Sequence, residues 1–285
     1  MKTIQITAPA SNSGKTITTS IIARALKNRG LDVVGFKCGP DFIDSKYLAF
    51  ATKRDNGNLD VHLCGTEGMK HALGLNKGAY GIVEGAMGYF DGIGLGYEAS
   101  AYDIGRTLDI PGILVYKPQG EMFTIVPKVK GMVDFSKGRL KGIIFSATTK
   151  TMYGYLKKML EDHVDIKVLG YIEKDETLNF GSRNLGLMLP EELSEFSSIL
   201  DAQAQKSEET IDYESLIDMM ADIKVDQSVE EIIKSPYTIA VAKDQAFCFQ
   251  YGENIKLFEK YFTIKYFSPL KDKTLPDADL VYIDG

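Results

Sequence analysis

The chain has 285 residues, 44% hydrophobic and 25% charged, with 33 Lys plus Arg against 39 Asp plus Glu, a formal net charge of -6. That length holds one large domain, or one plus a fragment of a second, and the acidic balance excludes the basic face of a nucleic-acid binder while still allowing a small anionic ligand held by a few local cations. No apolar run approaches the ~18 residues of a membrane span, the N-terminus MKTIQITAP lacks a signal-peptide core, and Cys38, Cys64 and Cys248 show neither CxxC spacing nor an even-numbered framework, so the expectation is a cytoplasmic protein with no membrane and no nucleic acid among its partners.

In chain order, a short apolar run at 3–7 predicts a strand that turns through a small-residue loop into a helix over 15–28. A second strand at 33–37 precedes a glycine- and proline-containing turn. A helix at 67–75, a strand at 80–84, a helix at 101–108 and a strand at 112–116 follow. Then come a helix at 124–133, a strand at 141–145, a helix at 152–162 and a strand at 167–172. Such alternation predicts βαβ units, a mainly parallel sheet flanked by helices, and ligand-binding loops along the C-terminal edge of the strands.

From 191 the character changes to an acidic, helix-prone stretch without glycine up to 235, read as one or two helices plus a linker. A strand at 237–242, a helix at 253–261 and strands at 263–267 and 280–283 then open a second α/β domain, which is cut short at Gly285. The expected division is 1–190 as a P-loop domain, 191–236 as a helical linker and 237–285 as the start of another domain.

The loop after the first strand reads APASNSGKT at 8–16. A Walker A loop is G-x-x-x-x-G-K-[ST]; here the second glycine, the lysine and the threonine are present and Pro9 replaces the first glycine. Gly14 lets the backbone approach phosphates, Lys15 places a charge on the β and γ phosphates, Thr16 offers its hydroxyl to Mg2+, and the helix N-terminus adds its partial positive charge. Ser11, Asn12, Ser13, Gly14, Lys15 and Thr16 are therefore the nucleotide-binding residues.

Glu84 ends an apolar strand, as a metal-holding carboxylate beside such a loop does. Asp41 and Asp44 lie three apart after the second strand; they either serve the metal or orient a substrate carboxylate, or merely form Asx turns around Pro40. Lys37 ends that strand and can offset charge on a phosphate or an acyl group, and Asp91 sits in a glycine-flanked loop. Phosphoryl transfer needs these parts, carboxylates for metal and lysines for phosphate. The expected metal set is Thr16, Glu84 and Asp41; the expected catalytic set is Lys15, Lys37, Asp41, Asp44 and Asp91. His62, His71 and His163 show no metal spacing, and the acidic run at 208–231 reads as a solvated helical face.

The segments APASNSGKT at 8–16, FKCGPDFID at 36–44, NLD at 58–60, VEGAMGYFDG at 83–92, SRNLGL at 182–187 and IAVAKDQAFCFQYGEN at 239–254 together resemble the cobyrinate a,c-diamide synthase family, within the group that includes cobyric acid synthase and dethiobiotin synthetase. Members commonly lack the first Walker glycine, which suits Pro9. The resemblance implies an ATP- and Mg2+-dependent ligase of cobalamin biosynthesis. ATP phosphorylates a peripheral carboxylate of a corrinoid, and ammonia displaces the phosphate. It also implies a C-terminal class I glutaminase-like domain that makes the ammonia from glutamine with a cysteine nucleophile. That nucleophile would lie beyond Gly285, and Cys248, in the matching early strand, is not it, so this chain is expected to lack glutaminase activity.

Two positions depart from the pattern. Lys117 follows the fourth strand where the family has an aspartate, and Ser146 stands where the family has an asparagine that reads the adenine edge, which implies weaker base selectivity. The other readings are a nickel-sirohydrochlorin diamide synthase, a dethiobiotin-synthetase-like ligase, a partition-type switch ATPase, or a non-catalytic nucleotide-binding relative. A homodimer is compatible with each.

Overall fold

A computed structural model describes residues 1–178, 182–183, 186–187, 190, 195–225 and 234–284. The chain divides into two units, Met1–Val225 and Asp226–Gly285.

The first unit alternates strands and helices: β1 (Lys2–Thr7), α1 (Lys15–Asn28), β2 (Val33–Cys38), α2 (Phe42–Thr52), β3 (Gly57–Leu59), α3 (Val61–Leu75), β4 (Tyr80–Glu84), α4 (Ala101–Leu108), β5 (Gly112–Tyr116), α5 (Ile125–Phe135), β6 (Leu140–Thr148), α6 (Lys150–Glu161) and β7 (Lys167–Glu173). A 3-10 turn (Glu176–Leu178) leads to a two-stranded antiparallel pair, β8 (Ser182–Arg183) with β9 (Gly186–Leu187). Then come α7 (Phe196–Ser207), α8 (Tyr213–Asp218) and β10 (Ala221–Asp222). Of the SRNLGL segment, Asn184 and Leu185 lie outside the described residues.

The main sheet runs β3-β2-β4-β1-β5-β6-β7, all parallel, with β10 antiparallel against β1. β2 and β5 are buried along their whole length, and β1 along all but its first residue. Strands covered on both faces read as continuous apolar runs rather than as alternating ones. On one face Ile4, Ile6 and Ile82 pack against Ile21, Ile22 and Leu26 of α1; on the other Val34, Phe36 and Val83 pack against Met69 and Leu73 of α3 and Ile104 of α4. The register sets Ile6 of β1 beside Glu84 of β4, and Glu84 beside Lys37 of β2, one row from the strand ends.

Besides the short strands β8, β9 and β10 and the 3-10 turn, two elements of the main layers were not expected from the sequence. The helix α2 follows Gly39-Pro40 directly, with Asp41 as its N-cap, so a turn signal and a helix start coincide there. The strand β3 has only three residues. The segment expected to be a linker also behaves differently. Phe196, Leu200 and Ala204, at i, i+4 and i+8 of α7, enter the core beside α1, followed by Ile211, Tyr213, Leu216 and Met220. The unit boundary therefore falls at 225, and 195–225 belongs with the P-loop unit; residues 191–194 and 226–233 lie outside the described residues.

The second unit contains β11 (Thr238–Ala242), α9 (Gly252–Tyr261), β12 (Thr263–Phe267) and β13 (Leu280–Tyr282), a parallel sheet in the order β12-β11-β13. Cys248, expected in an early strand, instead lies in the loop after β11. No helix among the described residues is long and apolar enough to cross a membrane.

Candidate active site

Residues 8–14 leave β1 and wrap over the start of α1. Asn12 (φ 60) and Gly14 (φ 84, ψ 18) adopt left-handed conformations, and Gly14 is the N-cap of α1 with no side-chain cap. The first-turn N–H groups are thus left for an anion, as at other helix N-termini that hold phosphate. Glycine is required twice over at position 14. A side chain there would be strained by φ, and its Cβ would stand 3.0 Å from the Ser146 hydroxyl. The loop is braced internally: Ser13 Oγ donates to Ala10 O at 2.8 Å, and Ser146 Oγ donates to Ser13 O at 2.7 Å.

That last bond bears on Ser146, expected at the adenine edge. Ser146, two residues before the end of β6, is buried under the phosphate loop, and its hydroxyl donates to Ser13 O and so supports the loop.

Lys15 is folded back beneath the loop, with Nζ donating to Ala10 O at 3.3 Å and to Met87 O at 2.5 Å. Burial lowers its pKa, against the pull of Glu84 in the other direction. The Met87 carbonyl comes from the loop after β4, where Met87 has φ 48. Sequence reasoning missed this tether, since a carbonyl acceptor leaves no trace in residue identity. The same loop is joined to the phosphate loop by Tyr89 N–H donating to Ala8 O at 2.8 Å. Asp91 secures its turn by accepting from Gly88 N–H at 3.0 Å. A Cβ on Gly88 would come within 2.4 Å of Asp91 Oδ2 and 2.6 Å of Pro9 O, which explains the glycine.

The Thr16 hydroxyl donates to Glu84 Oε1 at 2.9 Å. Glu84 is fully buried, and its Oε2 has no hydrogen-bond partner among the described residues. Burial raises this carboxyl to about 8, with Lys37 pulling it down and Asp44 pushing it up. Lys37, only 1% exposed, donates to Gly85 O at 3.2 Å and pairs with Asp41 Oδ2 at 3.2 Å. Its burial alone would lower its pKa, but Glu84, Asp41 and Asp44 outweigh that and raise it. The Lys37 charge is therefore held on by the acidic groups gathered around it.

Asp41 was expected in the metal set. Its Oδ1 instead accepts the Asp44 N–H at 3.1 Å, capping α2, while its Oδ2 takes Lys37. Asp44, in the first turn of α2, is a second carboxyl group near the Thr16 hydroxyl; burial and then Asp41 raise its pKa. Of two residues that the sequence presented as a pair, Asp41 is thus engaged as a cap and in an ion pair, while Asp44 stands in the first turn of α2. Among the described residues no three His, Cys, Asp or Glu side chains converge to hold a metal unaided. A site of two carboxylates and a hydroxyl suits Mg2+, which keeps water and takes substrate phosphates for its other positions. The NLD segment is structural: Asn58 Nδ2 donates to Gly39 O at 2.7 Å, and Asp60 caps α3 through the N–H groups of His62 and Leu63.

A strand, a left-handed glycine, a lysine and a threonine opening a helix, and a buried carboxylate ending the neighbouring strand define a P-loop nucleotide-binding domain. Residues 4–187 match the CobQ/CobB/MinD/ParA nucleotide binding domain. Proteins named cobyrinate a,c-diamide synthase are similar along the whole chain. The one from Clostridium tetani is 38% identical over 286 residues, covering 100% of this chain and 65% of that protein. The one from Clostridium acetobutylicum is 35% identical over 289 residues, covering 100% and 66%. The one from Fusobacterium nucleatum is 32% identical over 305 residues, covering 100% and 67%. The chain belongs to the CobQ/CobB/MinD/ParA nucleotide-binding domain family and, within it, to the cobyrinate a,c-diamide synthase family. It spans about 65% of the length of the Clostridium tetani relative.

Proposed function

We propose that the first unit carries out the ATP-dependent activation of peripheral carboxylates on cobyrinate, the a and c side chains, as the ligase half of an amidation. The observation that carries this is the Thr16–Glu84 hydrogen bond beneath the phosphate loop, with the second Glu84 oxygen buried and without a partner. A buried carboxyl oxygen left without a partner is costly, and a cation that takes the place of its proton removes the cost.

Thr16, Glu84 and Asp44 are the residues that would hold Mg2+. Bound there, the ion offsets charge on the β and γ phosphates and on the oxygens exchanged during transfer. The backbone N–H groups at the start of α1 orient the phosphates. Lys15 leaves its two carbonyl acceptors for the β and γ phosphates, a modest exchange because its burial already weakens its hold on the proton. Lys37 and Asp41 hold each other and set the start of α2, which fixes Asp44.

In the reaction a corrinoid carboxylate oxygen attacks the γ-phosphorus and the bond to ADP breaks. Ammonia nitrogen then attacks the acyl carbon, the bond from that carbon to the bridging oxygen breaks so that inorganic phosphate leaves with the oxygen, and a proton leaves the nitrogen as the amide forms. The protein contributes positioning and charge neutralisation, the expected sources of rate in such transfers. The Asp91 turn and the loop after β4 face the same sheet edge and are assigned to orienting the carboxylate. The second unit, on the resemblance of IAVAKDQAFCFQYGEN, is assigned to a glutamine amidotransferase-like domain that supplies ammonia.

The test is to incubate the protein with ATP, Mg2+, ammonium chloride and cobyrinic acid, following ADP and product mass. Corrinoid-dependent ADP release with conversion of carboxyl to carboxamide is expected. ADP release that responds to sirohydrochlorin but not to cobyrinic acid would overturn the substrate assignment.

A further inference from the structure

Arg24 lies in the middle of α1 with no exposed surface, an unusual place for a guanidinium. All three of its donor groups are used. Nε donates to Ala51 O at 2.8 Å, Nη2 to Phe50 O at 2.9 Å, and Nη1 to Asp201 Oδ1 at 2.8 Å. Its guanidinium carbon also stands 5.8 Å from the Phe50 ring centroid. Asp201 is on α7 and half exposed, so one side of the pair remains solvated. Arg24 and Asn28 together hold the Asp201 carboxyl below its ordinary range despite partial burial.

Phe50 and Ala51 belong to the last turn of α2, whose carbonyls have no partner within the helix. Arg24 therefore caps the C-terminal end of α2 from another helix. At its other end α2 starts at Asp41, held by Lys37. Asp44 and Ala51 are seven residues apart, two turns on the same face of α2, and Thr16 and Arg24 are eight apart on α1. The start of α2, which carries Asp44 near Thr16, is thus held through the Lys37–Asp41 pair, and about 12 Å away along α1 Arg24 holds the end of the same helix.

We propose that Arg24, oriented by Asp201, is a positioning residue for the metal site: it fixes the roll and tilt of α2 on α1 and so sets Asp44 against Thr16. This rests on the reading of Thr16, Glu84 and Asp44 as the Mg2+ set. It also gives α7, in the stretch that reads as a linker, a part in the nucleotide site.

The test measures Mg2+ affinity by calorimetry in the presence of a saturating non-hydrolysable ATP analogue, beside the affinity of that analogue in EDTA and the melting temperature. Arg24→Lys keeps the charge but loses the fork that spans two carbonyls and a carboxylate. Groups that orient metal ligands from behind typically account for about 10- to 100-fold in metal affinity, and a loss in that range is expected for Arg24→Lys. The EDTA affinity, which depends on the phosphate loop and Lys15, should stay within about twofold of wild type. Asp201→Asn, which leaves both carbonyl bonds in place, should show a smaller loss of the same kind. Wild-type Mg2+ affinity in both folded variants would overturn the proposal, as would a parallel fall in both affinities. If Arg24→Lys does not fold, Asp201→Asn decides by the same criteria. Absence of Mg2+-dependent binding in the wild type would instead refute the site reading beneath it.

Discussion

Glu84→Gln in the metal-free protein should remove a large pH dependence of stability. The wild-type carboxyl is fully buried beside Lys37, Asp44 and Asp41, and burial moves it from 4.5 to about 8. Between those values the folded state holds a proton that the unfolded state has lost, so stability falls as pH rises. The contribution is fully present below about pH 4.5, declines through the neutral range, and is gone above pH 8. At 1.36 kcal/mol per pH unit, the total is on the order of 5 kcal/mol. Glutamine matches the shape, still accepts from Thr16 and does not titrate. The histidines and distant carboxylates are common to both proteins, so the difference between them reports position 84 together with the neighbours that its charge acts on. The assay is urea unfolding in EDTA from pH 5 to 9, compared at matched ionic strength. Glu84→Gln should gain on the wild type by several kcal/mol across that span, with the gain levelling off near pH 8. Parallel profiles for the two proteins would refute a neutral, buried Glu84.

Since a metal-holding carboxylate must be ionised, Mg2+ binding near pH 7 should release about one proton more from the wild type than from Glu84→Gln, read by calorimetry in buffers of different ionisation enthalpy. Lys15→Ala should abolish measurable binding of ATP, and Thr16→Ala should weaken only the Mg2+-dependent part, by calorimetry on folded protein. Ser146→Ala, which frees the Ser13 carbonyl under the loop, should lower nucleotide affinity by roughly 1 kcal/mol and leave the ratio of ATP to GTP affinity unchanged; a changed ratio would return Ser146 to the base site. Asp44→Asn should reduce turnover by more powers of ten than Asp41→Asn, whose asparagine still caps α2, in steady-state ADP release with corrinoid.

Much of this was legible because the relevant signals are local. The loop at 8–16 announces itself through three adjacent residues, and the buried strands β4 and β5 keep their expected bounds, since strands covered on both faces are uninterrupted apolar runs. The helix α2 was hidden by Gly39-Pro40, which signals a turn as strongly as Asp41 signals a cap. In α7 an overall acidic composition masked the spacing of Phe196, Leu200 and Ala204, and only packing on α1 shows which face matters. Ser146 and Lys37 illustrate a harder limit. The partner of Ser146 is 133 residues away in sequence. The protonation of Lys37 depends on Glu84, Asp41 and Asp44, which arrive from β4 and α2. Residue identity placed both at strand ends, but their roles come from neighbours that only the sheet order β2-β4-β1-β5-β6 supplies.

The central claim is that this P-loop unit activates a corrinoid carboxylate by phosphorylation. Cobyrinic acid with heavy oxygen in its carboxylates, incubated with the protein, ATP, Mg2+ and ammonium, tests it directly, with the released inorganic phosphate examined by mass spectrometry. An acyl-phosphate route transfers one carboxylate oxygen to phosphate for each amide formed, so labelled phosphate should appear in step with amide and be lost in Lys15→Ala. Amide formation with unlabelled phosphate would contradict the account.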